Sequence, residues 1–239
     1  MEEATNSTKT EKVEKKKKKN SITVKANKKG RHIMGFLNVI RVVFIPLFYL
    51  IRPFRFYGNR RVKDGAAVYV CNHYGLFDIT YVASTTWEGL HFLGKKEVFD
   101  SKFVGFLARK VKAIGANRDG NDVRALLDCF KCLKNGEKVV VFPEGTRNKT
   151  NAEMLLFKHG ASAMAIKAKA PIIPVVIYKR PKLFCMTHIL IDDPMELSEY
   201  YDRKLTEEDF VEADNKLRNH MLEMRRKHTE YLENKKKKK

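Results

Sequence analysis

The sequence predicts an α/β fold, a mainly parallel sheet covered by helices, with an apolar helical segment at its N-terminal end. Three observations carry this reading. Short runs rich in β-branched and aromatic residues, at 66–71, 137–142 and 172–178, have the length and composition of buried strands. Amphipathic stretches of helical period lie between them, and strands alternating with helices build parallel sheets. The chain is also long enough, at 239 residues, to bury a substantial core.

Taken in order, residues 1–29 carry ten Lys and four Glu, and five Lys close the chain at 235–239. More than half of the formal net charge of +20 therefore sits in two ends that read as disordered and solvated. Basic tails suit nucleic acid or an anionic membrane surface, but the body holds none of the recognisable nucleic-acid modules, so no nucleic-acid partner is expected. Residues 1–29 lack the apolar core and small-residue cleavage site of a signal peptide.

Residues 33–51 form an apolar run interrupted by Arg41 and Pro46. A mid-run Arg is costly in a bilayer, and Pro bends a helix. Lys28, Lys29 and Arg31 precede the run, and Arg52, Arg55, Arg60 and Arg61 follow it. Such symmetry fits a bent, interfacial pair of helices on an anionic surface better than a charge-biased crossing. Phe54, Phe56 and Tyr57 extend the apolar edge. The expected organisation is a basic tail over 1–29, membrane-associating helices over 30–58, an α/β domain over 59–234 and a lysine tail over 235–239.

The strand at 66–71 delivers Asn72-His73-Tyr74-Gly75-Leu76-Phe77-Asp78. His is the side chain whose ordinary pKa lies nearest neutrality, and a carboxylate beside it fixes its tautomer. Five positions along one continuous helix would put His73 and Asp78 about 140° apart. They meet only if His73 sits in the turn before the helix, with Gly75 letting the backbone fold back. The strand at 137–142 runs into Pro143-Glu144-Gly145-Thr146-Arg147, which places a carboxylate, a hydroxyl and a guanidinium in one turn. Ligands of parallel α/β sheets bind at the carboxyl ends of strands, where both stretches fall.

Helices are expected over 79–87, 101–112 and 155–169, and strands over 91–94 and 187–191. Asn121 or Asp122 caps a helix whose Val123, Leu126, Leu127, Phe130 and Leu133 form one stripe. Thr206 to Asp209 is a capping-box pattern opening a terminal helix with Phe210, Leu217, Met221 and Met224 along one side. Cys129 and Cys132 are two of four cysteines; they lie in a predicted helix with no second pair at zinc spacing, and read as reduced thiols. His159, near the second motif, reads as structural. No metal and no cofactor are expected.

With both motifs in view, the chain resembles the glycerolipid acyltransferase family typified by 1-acylglycerol-3-phosphate acyltransferases. Asn72, His73 and Asp78 match NHxxxxD, and Phe142 to Arg147 match FPEGTR letter for letter. Gly94-Lys95-Lys96-Glu97-Val98, Gly115-Ala116-Asn117-Arg118 and the strand at 171–176 follow the family's other blocks, so the resemblance covers roughly 35–195. Gly75 replaces a frequent Ser, and Asn117 a frequent Asp.

The resemblance implies transfer of a fatty acyl group from a thioester, acyl-CoA or acyl carrier protein, to the sn-2 hydroxyl of 1-acylglycerol-3-phosphate, giving phosphatidic acid. It implies His73 as general base and Asp78 as its orienting carboxylate. Lys95, Arg118 and Arg147 would hold the phosphate, Glu144 the acceptor or the local cations, and donors near Gly145, with Thr146 beside them, the oxyanion. The protein would sit peripherally, or shallowly anchored, on the cytoplasmic face of the cell membrane. Rival readings keep acyl transfer but change the acceptor to glycerol 3-phosphate or another lysophospholipid, or make the chain a non-catalytic basic binding protein.

Overall fold

The computed structural model describes residues 35–60, 65–117, 122–158 and 160–238, without the side chains of 35–37, 40, 103 and 107. The basic tail at 1–29, Asn121, Arg118 and His159 lie outside the described residues.

Seven strands form one sheet: β1 (Phe54–Gly58), β2 (Ala67–Cys71), β3 (Leu90–Lys95), β4 (Ile114–Ala116), β5 (Lys138–Val141), β6 (Ile172–Ile177) and β7 (Thr187–Ile191). Their spatial order is β1-β7-β6-β2-β5-β3-β4. The five strands from β6 to β4 run parallel, and β7 turns back antiparallel to β6, with β1 parallel to β7. The mainly parallel sheet expected from the alternation of elements is thus present.

Side chains alternate between two buried layers, as the pleat requires. Val68, Val70, Val139, Val141 and Val176 pack beneath α4 (Val123–Lys134), α5 (Ala161–Ala168) and α6 (Glu207–Lys237). Tyr69, Cys71, Val140, Ile173, Val175 and Ile177 face the other way, against α2 (Asp78–Ala83) and Phe48 of α1 (Gly35–Ile51). The helix α3 (Lys102–Lys110) links β3 to β4. Every strand residue of β2, β5 and β6 is buried, which accounts for their apolar runs; the exception, Lys138 of β5, is paired with Glu88.

Several boundaries differ from expectation, each for a local reason. Phe54–Gly58, placed by the sequence with the N-terminal apolar helices, pairs with β7 as an outer strand. The apolar run is one continuous helix through Pro46 rather than a bent pair. Its Arg41 is 3% exposed and turned inward. The guanidinium donates to the carbonyls of Ala83 at 3.0 Å, Trp87 at 2.9 Å and Glu88 at 2.8 Å. Arg41 therefore satisfies carbonyls at and beyond the end of α2, where a helix has none of its own partners. Burial lowers its pKa to about 10, so it stays charged at neutral pH.

The helix expected over 79–87 stops at Ala83, where the Ser84 and Thr85 hydroxyls turn back onto the Thr80 and Val82 carbonyls. The helix expected from 155 starts at Ala161 instead; Lys158 N–H, which would bond back to Met154 in that helix, donates to Pro143 O at 2.8 Å. In α4 the buried face is Ala125, Cys129 and Leu133, while Val123 and Leu127 are exposed. The Thr206–Asp209 capping box forms as expected, and α6 continues through Lys237. Lysines expected in a solvated tail thus close the helix, where cations oppose the negative end of its dipole.

Candidate active site

The carboxyl ends of β2, β5 and β3 lie side by side, and the two sequence motifs occupy the first two. His73 follows β2 in the turn before α2, and Asp78 is the first residue of that helix. His73 Nδ1 lies 2.8 Å from Asp78 Oδ2, and Asp78 is buried. The same oxygen accepts the backbone N–H groups of Tyr74 at 2.5 Å and Gly75 at 2.7 Å. An ionised carboxylate only accepts, so in the neutral imidazole Nδ1 carries the hydrogen and Nε2 presents its lone pair. Gly75 is not in the left-handed region, and a Cβ there would meet nothing within 4 Å. The expected need for glycine is therefore corrected: the turn is made by Asp78 collecting N–H groups.

Two clamps fix the imidazole from either side. The Asn72 amide accepts from Ile177 N–H at 2.8 Å and donates to Ile177 O at 3.1 Å, tying the end of β2 to the end of β6. The His73 N–H donates to Glu144 Oε1 at 2.9 Å, and Asn148 N–H donates to His73 O at 2.6 Å. The His73 ring stacks on Phe142, with centroids 4.3 Å apart and planes 25° apart.

Glu144 differs from its expected role. It is buried, and its second oxygen accepts Leu155 N–H at 3.1 Å, so both oxygens are committed to backbone. Burial pushes its carboxyl up, and the two backbone N–H groups oppose that shift. It holds the FPEGTR turn against His73 rather than facing solvent, where an acceptor or cations would meet it. Gly145 has φ +62°, and a Cβ there would lie 2.8 Å from Lys158 Cδ, so the turn requires glycine. Its N–H donates to Phe142 O at 3.0 Å and is not available as an oxyanion donor.

Thr146 and Arg147 are exposed on the same turn, and among the described residues Arg147 forms no ion pair. Lys95 is exposed at the end of β3, two strands from β2, about 10 Å across the sheet. Arg118 follows β4 but lies outside the described residues. His73, Asp78, Glu144 and Gly145 thus meet through direct contacts or one loop, whereas Lys95 shares only their sheet edge.

Sequence reasoning missed the residues that wall this edge. Tyr74 donates through its hydroxyl to Glu153 O at 3.1 Å and accepts from Arg225 at 3.2 Å. Arg180 lies over the Tyr74 ring at 5.4 Å and donates to Asn148 O at 2.7 Å. Lys158 lays its stem on Gly145. Tyr74 lies inside the first motif and Phe142 opens FPEGTR, whereas Arg180 and Arg225 come from positions far from both in the chain.

His91, Cys132 and Glu137 also gather, their ligand-type atoms all within 4.8 Å. His91 faces Lys112 O at 3.1 Å with one nitrogen and Glu137 at 3.2 Å with the other. Burial pushes the Cys129 and Cys132 thiols up to about 12, in keeping with inert, reduced cysteines.

The fold and this edge define an α/β protein whose sheet presents a carboxylate-held imidazole beside an arginine-bearing turn. A family model described as "Acyltransferase" matches residues 53–178, more than half of the chain, and the chain belongs to that family. It is 29% identical over 147 residues to a 1-acyl-sn-glycerol-3-phosphate acyltransferase of Bacillus subtilis, covering 57% of this chain and 70% of that one. A Helicobacter pylori protein of the same name is 33% identical over 122 residues, covering 50% and 52%. The human 1-acyl-sn-glycerol-3-phosphate acyltransferase alpha is 27% identical over 173 residues, covering 66% and 56%. The crystal structure of the 1-acyl-sn-glycerophosphate (LPA) acyltransferase PlsC from Thermotoga maritima shares the fold, with a TM-score of 0.56 at 22% identity over 80% of this chain and 93% of that one.

Proposed function

We propose that this protein transfers a fatty acyl group from a thioester to the sn-2 hydroxyl of 1-acylglycerol-3-phosphate, releasing phosphatidic acid and a free thiol. The observation that carries the reading is the 2.8 Å contact between His73 Nδ1 and Asp78 Oδ2, which leaves Nε2 as a base. The named relatives act on the same acceptor by their names.

In this reading His73 Nε2 removes the proton of the substrate hydroxyl as its oxygen attacks the thioester carbonyl carbon. Asp78 steadies the imidazolium that forms. Collapse of the tetrahedral adduct breaks the C–S bond, and the imidazolium returns its proton to the departing sulfur. No nucleophile from the protein is needed, because the attacking oxygen belongs to the acceptor. Arg147 and Lys95, exposed at the ends of β5 and β3, with Arg118, bind the acceptor phosphate.

The same reading puts the protein on an anionic membrane surface, on its cytoplasmic face. Val39, Val42, Val43, Leu47 and Leu50 of α1 are exposed, while Arg41 and Phe48 face the domain. Among the described residues no helix is long and apolar enough to cross a membrane, so α1 would lie in the interface. Phe48 and Arg52 touch Phe77, four residues after His73, so the C-terminal end of α1 packs at the edge of the site.

The test is acyl transfer by the purified full chain, followed as free thiol, with palmitoyl-CoA and 1-acylglycerol-3-phosphate. Glycerol 3-phosphate and lysophosphatidylcholine are run in parallel. Turnover that depends on 1-acylglycerol-3-phosphate supports the reading. Release with none of these acceptors, or only with the others, overturns it.

A further inference from the structure

The loop between β6 and β7 carries large apolar side chains that stay exposed. Its residues 179–186 read Lys-Arg-Pro-Lys-Leu-Phe-Cys-Met, three cations and no acid. At its tip Leu183 is 55% exposed, Phe184 74% and Met186 50%. Phe184 has φ +57°, a left-handed backbone that a bulky aromatic residue adopts only when its surroundings impose it. What imposes it here is α1: Phe184 N–H donates to Ile51 O at 2.8 Å, and Thr187 N–H donates to Pro53 O at 2.8 Å. The strained residue thus anchors the loop to the end of the N-terminal helix and points its ring into solvent. Ile51, Leu50 and Leu47, also exposed, adjoin that anchor point.

The cations lie behind the tip. Arg55 of β1 is in register with His188 of β7. Arg55, Lys179 and Lys235 all stand close enough to His188 to disfavour its protonation, after burial. Lys235 and Lys236, at the end of α6, share one cleft with Tyr178, Lys179 and a single carboxylate, Glu233. The lysine-rich end of the chain is thereby carried to the root of the apolar loop. Exposed apolar side chains backed by a belt of Lys and Arg complement a bilayer containing anionic lipid, with the former at the acyl boundary and the latter at the phosphates.

We propose that Leu183, Phe184 and Met186 form a second membrane-inserting element, held at its depth by Lys179, Lys182, Arg55 and the Lys235–Lys237 end of α6. It rests on the reading of α1 as membrane-facing, and gives the protein two points of contact instead of one. Two contacts fix the tilt of the domain on the surface, which a single helix does not.

The test uses the full chain with Trp87→Phe, which removes the one native indole, combined with Phe184→Trp. Vesicles are phosphatidylcholine alone or with 30% phosphatidylglycerol. A blue shift, at least five-fold protection from iodide and quenching by acyl-brominated lipid, all stronger with the anionic vesicles, support the proposal. A fluorophore on Cys185, the exposed cysteine, reports on the native Phe184 if the indole variant fails to fold. Leu183→Ser with Met186→Ser should weaken vesicle partitioning at least ten-fold while leaving turnover in detergent micelles unchanged. Binding to vesicles with position 184 still open to iodide overturns this proposal alone. No binding to any vesicle overturns it together with the membrane reading of α1, while leaving the micelle assay to decide the acyl transfer.

Discussion

The carboxylate oxygen of Asp78 that lies 2.8 Å from His73 Nδ1 also gathers the N–H groups of Tyr74 and Gly75. One oxygen thus sets the tautomer of the imidazole and the shape of the turn that carries it. Asp78→Asn removes the charge but keeps an acceptor oxygen for the backbone. It should leave melting within a few degrees while lowering kcat by about four orders of magnitude, as loss of the equivalent carboxylate does in a hydrolase triad. Steady-state kinetics beside thermal unfolding separate the two effects; unchanged kcat would mean that Asp78 only shapes the turn.

Glu144 joins the two motifs through backbone alone. In Glu144→Gln one of the two N–H acceptors becomes a donor facing a donor, an unsatisfied buried contact that costs about 1–3 kcal/mol. The variant should melt lower and show reduced kcat with KM for the acceptor little changed. A large rise in KM with stability intact would restore the substrate-contact role.

Arg41 should matter to folding rather than to membrane affinity. Arg41→Met deprives the carbonyls of Ala83, Trp87 and Glu88 of their donor. The expected loss is roughly 3 kcal/mol in denaturant unfolding, since each orphaned buried group costs about 1–3 kcal/mol and water reaches some of them. Stability equal to the parent would show that α1 does not dock through this residue.

His228 gives the acid limit of stability. It lies among Tyr57, Tyr178 and Tyr231, 2.8 Å from His188, and burial followed by His188 lowers its pKa to about 4. The unfolded chain binds this proton first as pH falls, near pH 6.5. Stability is therefore intact above that value and is lost progressively between about pH 6.5 and 4. The gap in melting temperature between the parent and His228→Phe should favour the parent most at pH 7 and shrink by pH 4.5. A gap independent of pH would remove the titration argument.

What the sequence made legible follows from where the information is local. The apolar runs of β2 and β6, the valines of β5, the Thr206 capping box and the placement of both motifs at strand ends are properties of short windows, and they hold in the structure. Arg41 was misplaced because its carbonyl partners stand more than 40 positions away. The backbone contacts of Glu144 were hidden because a carboxylate in a motif reads the same whether it meets a ligand or a backbone N–H. Phe54–Gly58 was hidden by its neighbours, since an aromatic edge strand after an apolar helix continues the same composition. The Tyr74, Arg180 and Arg225 wall needed the fold itself, because β6, α6 and the turn after β2 converge only in three dimensions.

The most direct test of the account is turnover by His73→Ala, with palmitoyl-CoA and 1-acylglycerol-3-phosphate, alongside its melting temperature and vesicle binding. Removal of a general base lowers rates by about 10²–10⁴-fold. The account predicts a loss of at least that size, with melting and vesicle binding close to the parent. Turnover within a few-fold of the parent in a folded His73→Ala would contradict it.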